Sequence, residues 1–84
     1  MRLEFERQAL EDLLYWVERD RRKAMRTLRL IEACLRSPFG GSGKPEPLKH
    51  VLAGCWSRRI DHEHRLIYRV DGDNLIVLGC RYHY

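Results

Sequence analysis

Hydrophobic and charged residues alternate over the first five positions of the chain, where Leu3 and Phe5 are flanked by charged neighbours. This two-residue period is typical of a short strand. Two stretches with helical spacing follow, at residues 6–19 and 21–36, and Asp20 stands between them, where it can end one helix and cap the next. The pattern therefore predicts a strand followed by a hairpin of two antiparallel helices.

Each predicted helix carries one apolar stripe that we expect to face the core. The members of the two stripes are Leu10, Leu13, Leu14 and Val17 on the first helix, and Ala24, Leu28, Ile31 and Leu35 on the second. Tyr15 and Trp16 are compatible either with this core or with an interface. The charged residues on the opposite faces are expected to be solvated.

Residues 37–47 contain all three prolines and three of the six glycines, so they are predicted to form a loop. Three strand-like stretches follow, at residues 54–60, 64–70 and 75–83, and short polar turns separate them. The resulting order, βααβββ, predicts a single α+β domain over residues 1–84. We expect an antiparallel sheet backed by the helical hairpin.

Alternate residues of the three predicted strands differ in character, because apolar residues fall mostly at even positions and arginines at odd positions. If three-residue connections join the strands, one face of the sheet packs on the helices and the other is cationic. The even-numbered residues expected on the apolar face are Trp56, Ile60, Leu66, Tyr68, Val70, Ile76, Leu78, Cys80 and Tyr82, with Arg58 and His64 as exceptions. The odd-numbered residues expected on the cationic face are Arg59, Arg65, Arg69, Arg81 and His83. An ordinary half-exposed sheet with a polar outer face is the alternative interpretation.

Composition narrows the class of protein. With 44% hydrophobic and 33% charged residues, the chain resembles one small folded domain rather than a disordered segment, and its net charge of +4 favours an anionic partner. Three cysteines without C-x-x-C spacing indicate neither a disulfide framework nor a zinc site, so we interpret them as reduced and half-buried. No apolar stretch suits a membrane span or a secretory signal, so we expect a cytoplasmic protein without membrane contact.

Arginines on one face of a sheet can bind nucleic-acid phosphates and neutralise the charge that develops at phosphorus during cleavage. Metal-free RNA cleavage also needs a base for the 2′-hydroxyl and an acid for the departing 5′ oxygen. Glu46 is the only carboxylate in residues 37–60, and His83 stands next to the end of the sequence. Each also has a simpler interpretation: a loop carboxylate paired with Lys44 or Lys49, and a frayed terminal residue.

His62 and His64 form a His-x-His pair, with His50 elsewhere in the chain, and such a set could suggest a metal site. Their position in a turn beside acidic residues instead indicates solvated loop histidines. We therefore expect no metal and no cofactor.

Four segments of the sequence resemble the YoeB/Txe toxins of the RelE superfamily. They are residues 43–50 (GKPEPLKH), 56–60 (WSRRI), 63–68 (EHRLIY) and 80–84 (CRYHY). The resemblance covers most of the chain from residue 38 onward, whereas the first 36 residues agree with the family only in pattern. It departs at Cys55, where relatives usually carry an aromatic residue, and at Val51, where a polar residue is common.

This resemblance implies a microbial-ribonuclease-like fold and a ribosome-dependent endonuclease that cuts messenger RNA in the ribosomal A site. The residues that would carry the activity are Glu46 as general base, His83 as general acid, Arg65 on the phosphate in the transition state, Lys49 and Arg59 on the substrate, and Tyr84 orienting the substrate or stacking on it. Such a protein would be the toxin of a type II toxin–antitoxin system.

The partners implied by the resemblance are an antitoxin of the YefM/Phd-like kind with a disordered C-terminal segment, the 70S ribosome with messenger RNA in its A site, and a second toxin copy. Operator DNA would be contacted only through the antitoxin. Two other functions remain open. One is a non-catalytic RNA- or ribosome-binding module that uses the same cationic face, and the other is action on a different target such as a topoisomerase, which would need neither Glu46 nor His83.

Overall fold

The computed structural model describes residues 1–82, so the predictions made for His83 and Tyr84 lie outside the described residues. Its elements, in chain order, are β1 (Arg2–Phe5), α1 (Arg7–Arg19), α2 (Arg21–Arg36), β2 (Glu46–Pro47), a 3₁₀ turn (His50–Leu52), β3 (Cys55–Arg59), β4 (Arg65–Asp71) and β5 (Asn74–Gly79). The α+β class and the helical hairpin are confirmed. Over the described residues, neither helix has the length and apolar character needed to cross a membrane.

All five strands form one sheet in the order β1-β5-β4-β3-β2. The pairs β2–β3, β3–β4 and β4–β5 are antiparallel, but β1 pairs with β5 in parallel, so the prediction of a purely antiparallel sheet is wrong. Parallel neighbours need a long crossover connection, and here it contains both helices and three strands. Local hairpin signals cannot reveal such a pairing. They also missed β2, which ends the predicted loop.

The two helices cover one face of the sheet and enclose the main core with it. On α2, Ala24 and Ile31 are buried as predicted, whereas Leu28 is exposed. The sheet supplies the apolar side chains opposite the helices, and those fully buried are Leu66, Tyr68, Leu75 and Val77. The burial of the apolar side chains of helices and sheet together is the main source of stability in this small domain.

The buried face of α1 differs from the predicted one. Of its predicted apolar stripe, only Leu13 packs on the core, and the other three members are about half exposed. Asp12 and Trp16 are buried instead, because both bind the backbone of Cys80. The Asp12 carboxylate accepts the Cys80 N–H at 3.0 Å, and the Trp16 indole N–H donates to the Cys80 carbonyl at 2.8 Å. A pattern of hydrophobicity cannot indicate contacts that are polar.

The register of β3 with β4 confirms the predicted parity for these two strands. Trp56 pairs with Tyr68 on the helix side, and Arg59 pairs with Arg65 on the outer side. Arg58, an even-numbered exception, accordingly faces the helices and is completely buried.

The predicted parity is wrong for β5. Asp71 pairs with Asn74, so the connection from β4 has two residues rather than the three that the prediction assumed. The one-residue difference places Ile76 beside Arg69 on the outer face. The bulge that follows shifts the register again beyond Val77. The middle of the outer face is therefore apolar, with Ile76 and its neighbour Ile67 only 5% and 1% exposed.

The C-terminal stretch also departs from the prediction, because β5 ends at Gly79. Beyond it, Arg81 does not extend a cationic face but stacks its guanidinium on the Tyr15 ring of α1, 3.5 Å from the ring centre. Tyr82 is exposed rather than packed in the core. Docking of the preceding Cys80 backbone on α1 explains why the strand stops.

The turn between β3 and β4 is held by the carboxylate of Asp61. Its Oδ1 accepts the backbone N–H groups of Glu63 at 2.8 Å and His64 at 2.7 Å, and its Oδ2 lies 2.6 Å from the Lys23 ammonium of α2. Burial raises the pKa of Asp61, but the Lys23 ammonium and the two N–H donors outweigh it and lower the pKa to about 2.

The folded pKa of Asp61 lies below its ordinary value of 3.8, so its stabilisation is complete above that pH and is lost as the pH falls towards 2. We expect Asp61→Asn to lower the free energy of unfolding by about 1 kcal/mol at pH 7 and by much less near pH 2. Urea titrations followed by tryptophan fluorescence at both pH values would measure this. Asp73→Asn, at an exposed carboxylate, is the control. An equal loss at both pH values would contradict the assignment.

Candidate active site

A cavity of about 280 Å³ opens where β2 meets β3 and β4 at one end of the outer face. The described residues that line it are Lys44, Pro45, Glu46, Arg59 and Arg65. The structure thus brings together three of the residues predicted from sequence, the carboxylate of Glu46 and the two arginines. Lys49, which was predicted to bind substrate, is exposed just after β2 and lies outside this lining.

Glu46 and Arg65, which both line this cavity, form an ion pair. Arg65 Nη1 lies 3.3 Å from Glu46 Oε2 and donates to Ser57 Oγ at 3.1 Å. The sheet explains the arrangement, since Glu46 of β2 lies opposite Ser57 of β3, and Arg65 lies opposite Arg59. The loop carboxylate is therefore paired with Arg65, rather than with the lysines of its own loop that the simpler interpretation proposed.

Ser57 is a site residue that sequence reasoning missed. It is completely buried, and its hydroxyl oxygen orients the guanidinium of Arg65 by accepting a hydrogen bond from it. Its position could have been predicted, because Ser57 is two residues before Arg59 on β3. The alternation of side chains along a strand places both residues on the outer face.

The loop that leads to β2 is fastened by the buried Arg58. Its guanidinium donates to the Ser42 carbonyl at 2.8 Å, to the Ser37 carbonyl and to the Tyr68 hydroxyl at 3.2 Å. Burial raises the pKa of Tyr68 to about 12, so its hydroxyl stays protonated and donates to the Pro38 carbonyl at 2.6 Å. One buried cation thus binds this glycine-rich loop at two points, Ser37 and Ser42.

Gly43 brings this loop against the domain just before β2. Its φ of +86° belongs to the left-handed region, and a Cβ there would lie 2.7 Å from Leu30 Cδ2, so any other residue would strain the backbone and displace the Leu30 side chain. The Gly43 carbonyl accepts the Arg59 N–H at 2.7 Å. Together these contacts place the Glu46 carboxylate over the outer face.

The two turn histidines behave differently. His62 is exposed, as expected, but His64 is buried between the rings of Trp16 and Tyr82, so its description as a solvated loop histidine is wrong. Within residues 1–82, no cluster of three metal-ligating side chains occurs. The proposed roles of His83 and Tyr84 fall outside the described residues.

The cavity is suited chemically to a phosphodiester. Its guanidinium groups can bind phosphate oxygens in a bidentate manner, and its lysine adds a third positive charge. Among the described residues of the lining, the Glu46 carboxylate is the group able to accept a proton at neutral pH. The described lining contains no histidine.

Comparison with known proteins gives a consistent result. A family model described as "YoeB-like toxin of bacterial type II toxin-antitoxin system" matches residues 5–84. The chain is 51% identical to Toxin YoeB of Escherichia coli (strain K12) over 84 residues, which cover 100% of both chains. A YoeB/ParE toxin from Agrobacterium tumefaciens superposes with a TM-score of 0.96 at 45% identity over 100% of both chains. Staphylococcus aureus YoeB, solved as a dimer and as a heterotetrameric YoeB–YefM complex, gives TM-scores of 0.91 and 0.90 at 40% identity, covering 100% of this chain and 98% of the other.

Proposed function

Because the chain belongs to the YoeB-like toxins of bacterial type II toxin–antitoxin systems, we propose that it inhibits translation by cutting messenger RNA in the ribosomal A site. The observation that carries this proposal is the open cavity in which a carboxylate and two guanidinium groups meet. These are the groups that a metal-free phosphodiester cleavage requires on the side of the attacking oxygen.

In the proposed reaction, Glu46 takes the proton of the ribose 2′-hydroxyl, and the freed oxygen attacks the adjacent phosphorus. The bond from phosphorus to the 5′ oxygen breaks, and that oxygen leaves with a proton from His83. The products are a 2′,3′-cyclic phosphate and a new 5′-hydroxyl. Arg65 stabilises the charge on the phosphate oxygens, because its guanidinium is already held beside the base.

The remaining roles concern the substrate. Arg59 is exposed at the rim of the cavity, and Lys49 is exposed on the adjoining loop, so both can bind phosphates next to the cut. His83 supplies the general acid, since the described lining contains no histidine. It follows Tyr82, whose carbonyl accepts the N–H of Arg65 at 3.0 Å. Tyr84 stacks on a base of the substrate. The reaction needs no cofactor.

We extend the proposal to the partners of this toxin. The related S. aureus protein occurs as a dimer and in a YoeB–YefM complex, and we propose a homodimer and a YefM-like antitoxin for this chain. The net charge of +4 suits an acidic, disordered antitoxin segment and the RNA of the 70S ribosome. Operator DNA is reached through the antitoxin, and the protein acts in the cytoplasm.

A non-catalytic RNA- or ribosome-binding module is the second candidate function. The observation that favours it is the 3.3 Å ion pair, because Glu46 then serves to hold Arg65 and needs no role as a base. Such a module would bind in a salt-sensitive manner and leave the RNA intact.

Primer extension on messenger RNA in a translating extract tests the proposal. We expect the wild-type protein to produce new 5′ ends clustered in A-site codons, and His83→Gln to lower their yield by roughly 10²–10⁴-fold, because glutamine cannot donate a proton to the leaving oxygen. His62→Gln, at an exposed turn histidine, is the matched control and should cut like the wild type.

Two other results of this experiment would contradict the proposal. Undiminished cleavage by His83→Gln would remove this residue from the mechanism. Ribosomes that stall on the message without new 5′ ends would instead support the binding module.

A further inference from the structure

His64 contacts three parts of the fold and immediately precedes Arg65 of the candidate active site. It belongs to the turn before β4, it is 5% exposed, and its ring lies 4.7 Å from the Trp16 ring of α1. On its other side, the Tyr82 ring centre is 5.2 Å away. The side chain thus connects the turn, the first helix and the C-terminal stretch.

The contact with Tyr82 is a hydrogen bond as well as ring packing. His64 Nδ1 accepts the backbone N–H of Tyr82 at 2.6 Å, and the Tyr82 carbonyl accepts the backbone N–H of Arg65 at 3.0 Å. Both backbone polar groups of Tyr82 are therefore bound by consecutive residues. Tyr82 also has a φ of +63°, a left-handed conformation that a tyrosine adopts only where its surroundings enforce it.

This bond requires a particular form of the imidazole. A ring nitrogen that accepts a hydrogen bond carries no proton, so the proton of the neutral ring resides on Nε2. The Nε2 atom lies 3.5 Å from Glu63 Oε1. The His64 backbone N–H is itself bound by Asp61 at 2.7 Å, so the ring projects from a fixed turn.

We propose that His64 is a positioning residue for the C-terminal stretch: its imidazole holds the backbone of Tyr82, the residue that the general acid of the proposed reaction follows in the sequence. The inference rests on the proposed function, because it concerns the general acid of that reaction. His64 itself touches neither the base nor the phosphate in this mechanism. It acts through the backbone of Tyr82, on the opposite side of Arg65 from Glu46.

Two substitutions separate this role from simple packing. His64→Phe keeps an aromatic ring between Trp16 and Tyr82 but removes the acceptor, whereas His64→Asn removes the ring and places an amide oxygen close to the position of Nδ1. We expect His64→Phe to lower the kcat of A-site cleavage about 10- to 100-fold, with the Kd for ribosomes changed less than about 3-fold. His64→Asn should recover most of the kcat. Equal losses in both variants would overturn the proposal, because they would indicate a packing role.

A second measurement does not depend on cleavage. Amide hydrogen exchange followed by NMR should show the Tyr82 N–H exchanging at least about 10-fold faster in His64→Phe than in the wild type, with slow exchange restored in His64→Asn. Unchanged exchange in His64→Phe would overturn the inference. If the wild-type protein cut no RNA, the proposed function would fail, and the exchange rates would still decide whether His64 holds Tyr82.

Discussion

Replacing Glu46 with glutamine is expected to slow messenger-RNA cleavage by roughly 10²–10⁴-fold and to leave the protein folded. Glutamine has nearly the same size and can still accept a bond from Arg65, but it cannot take the proton of the 2′-hydroxyl. The stability should hardly change, because the Glu46 side chain is 60% exposed and surface ion pairs contribute less than about 1 kcal/mol. Single-turnover cleavage on programmed ribosomes and the melting temperature would be measured together.

The chain offers a matched control for this substitution. Glu18 is also an arginine-paired carboxylate, 3.6 Å from Arg19 and 68% exposed, but it lies on α1 away from the cavity. Glu18→Gln should cut at the wild-type rate. Wild-type cleavage by Glu46→Gln would contradict the assignment of a general base and leave Glu46 as a structural partner of Arg65.

Replacing Arg58 with methionine is expected to destabilise the domain by about 3–5 kcal/mol, the largest effect on stability that we anticipate. Methionine fills part of the volume but leaves the carbonyls of Ser37 and Ser42 and the Tyr68 hydroxyl without their donor. A domain of this size has a total stability of roughly 4–12 kcal/mol, so the melting temperature should fall by about 15 °C or more. Thermal and urea unfolding followed by circular dichroism would measure it.

Two further variants keep this prediction testable if Arg58→Met does not fold. Tyr68→Phe retains the ring but removes the hydroxyl that links Arg58 to Pro38, and should lose about 1–3 kcal/mol. Arg59→Met, at the exposed neighbour, should change the stability by less than about 0.5 kcal/mol. An Arg58→Met protein that melts like the wild type would show that the loop is held by other contacts.

Local sequence signals predicted those parts of the fold that depend on local interactions. The helices and the strands β3 and β4 are found within a residue or so of their predicted positions, because helical spacing and alternation are properties of neighbouring residues. The predicted face of β5 was wrong because a turn one residue shorter reverses the side chains of the strand as far as Val77, where the bulge shifts the register again. The pairing of β1 with β5 joins the two ends of the chain, and no local pattern encodes it.

The candidate site shows the same division. Strand parity placed Arg59 and Arg65 on one face, and the structure brings Glu46 to them. The roles of Arg58 and His64 could not be predicted, because their hydrogen-bond partners are distant in the sequence. The carbonyls bound by Arg58 belong to residues 16 and 21 positions away, and the N–H bound by His64 belongs to a residue 18 positions away. A buried arginine and a buried histidine look like surface residues until the fold supplies their acceptors and donors.

The parallel pairing of β1 with β5 also determines when this protein can fold. Arg2 lies opposite Asn74, so the first strand to leave the ribosome must wait for the last strand before it has a neighbour. The helical hairpin is synthesised early, but most strands of the sheet that it covers are synthesised after it. The residues that line the cavity belong to those later strands and to the loop before them. A nascent chain therefore lacks an assembled site throughout most of its own synthesis. The ribosome therefore translates most of this toxin's own message before the product can fold. Only the folded product has the site that we propose cuts messenger RNA.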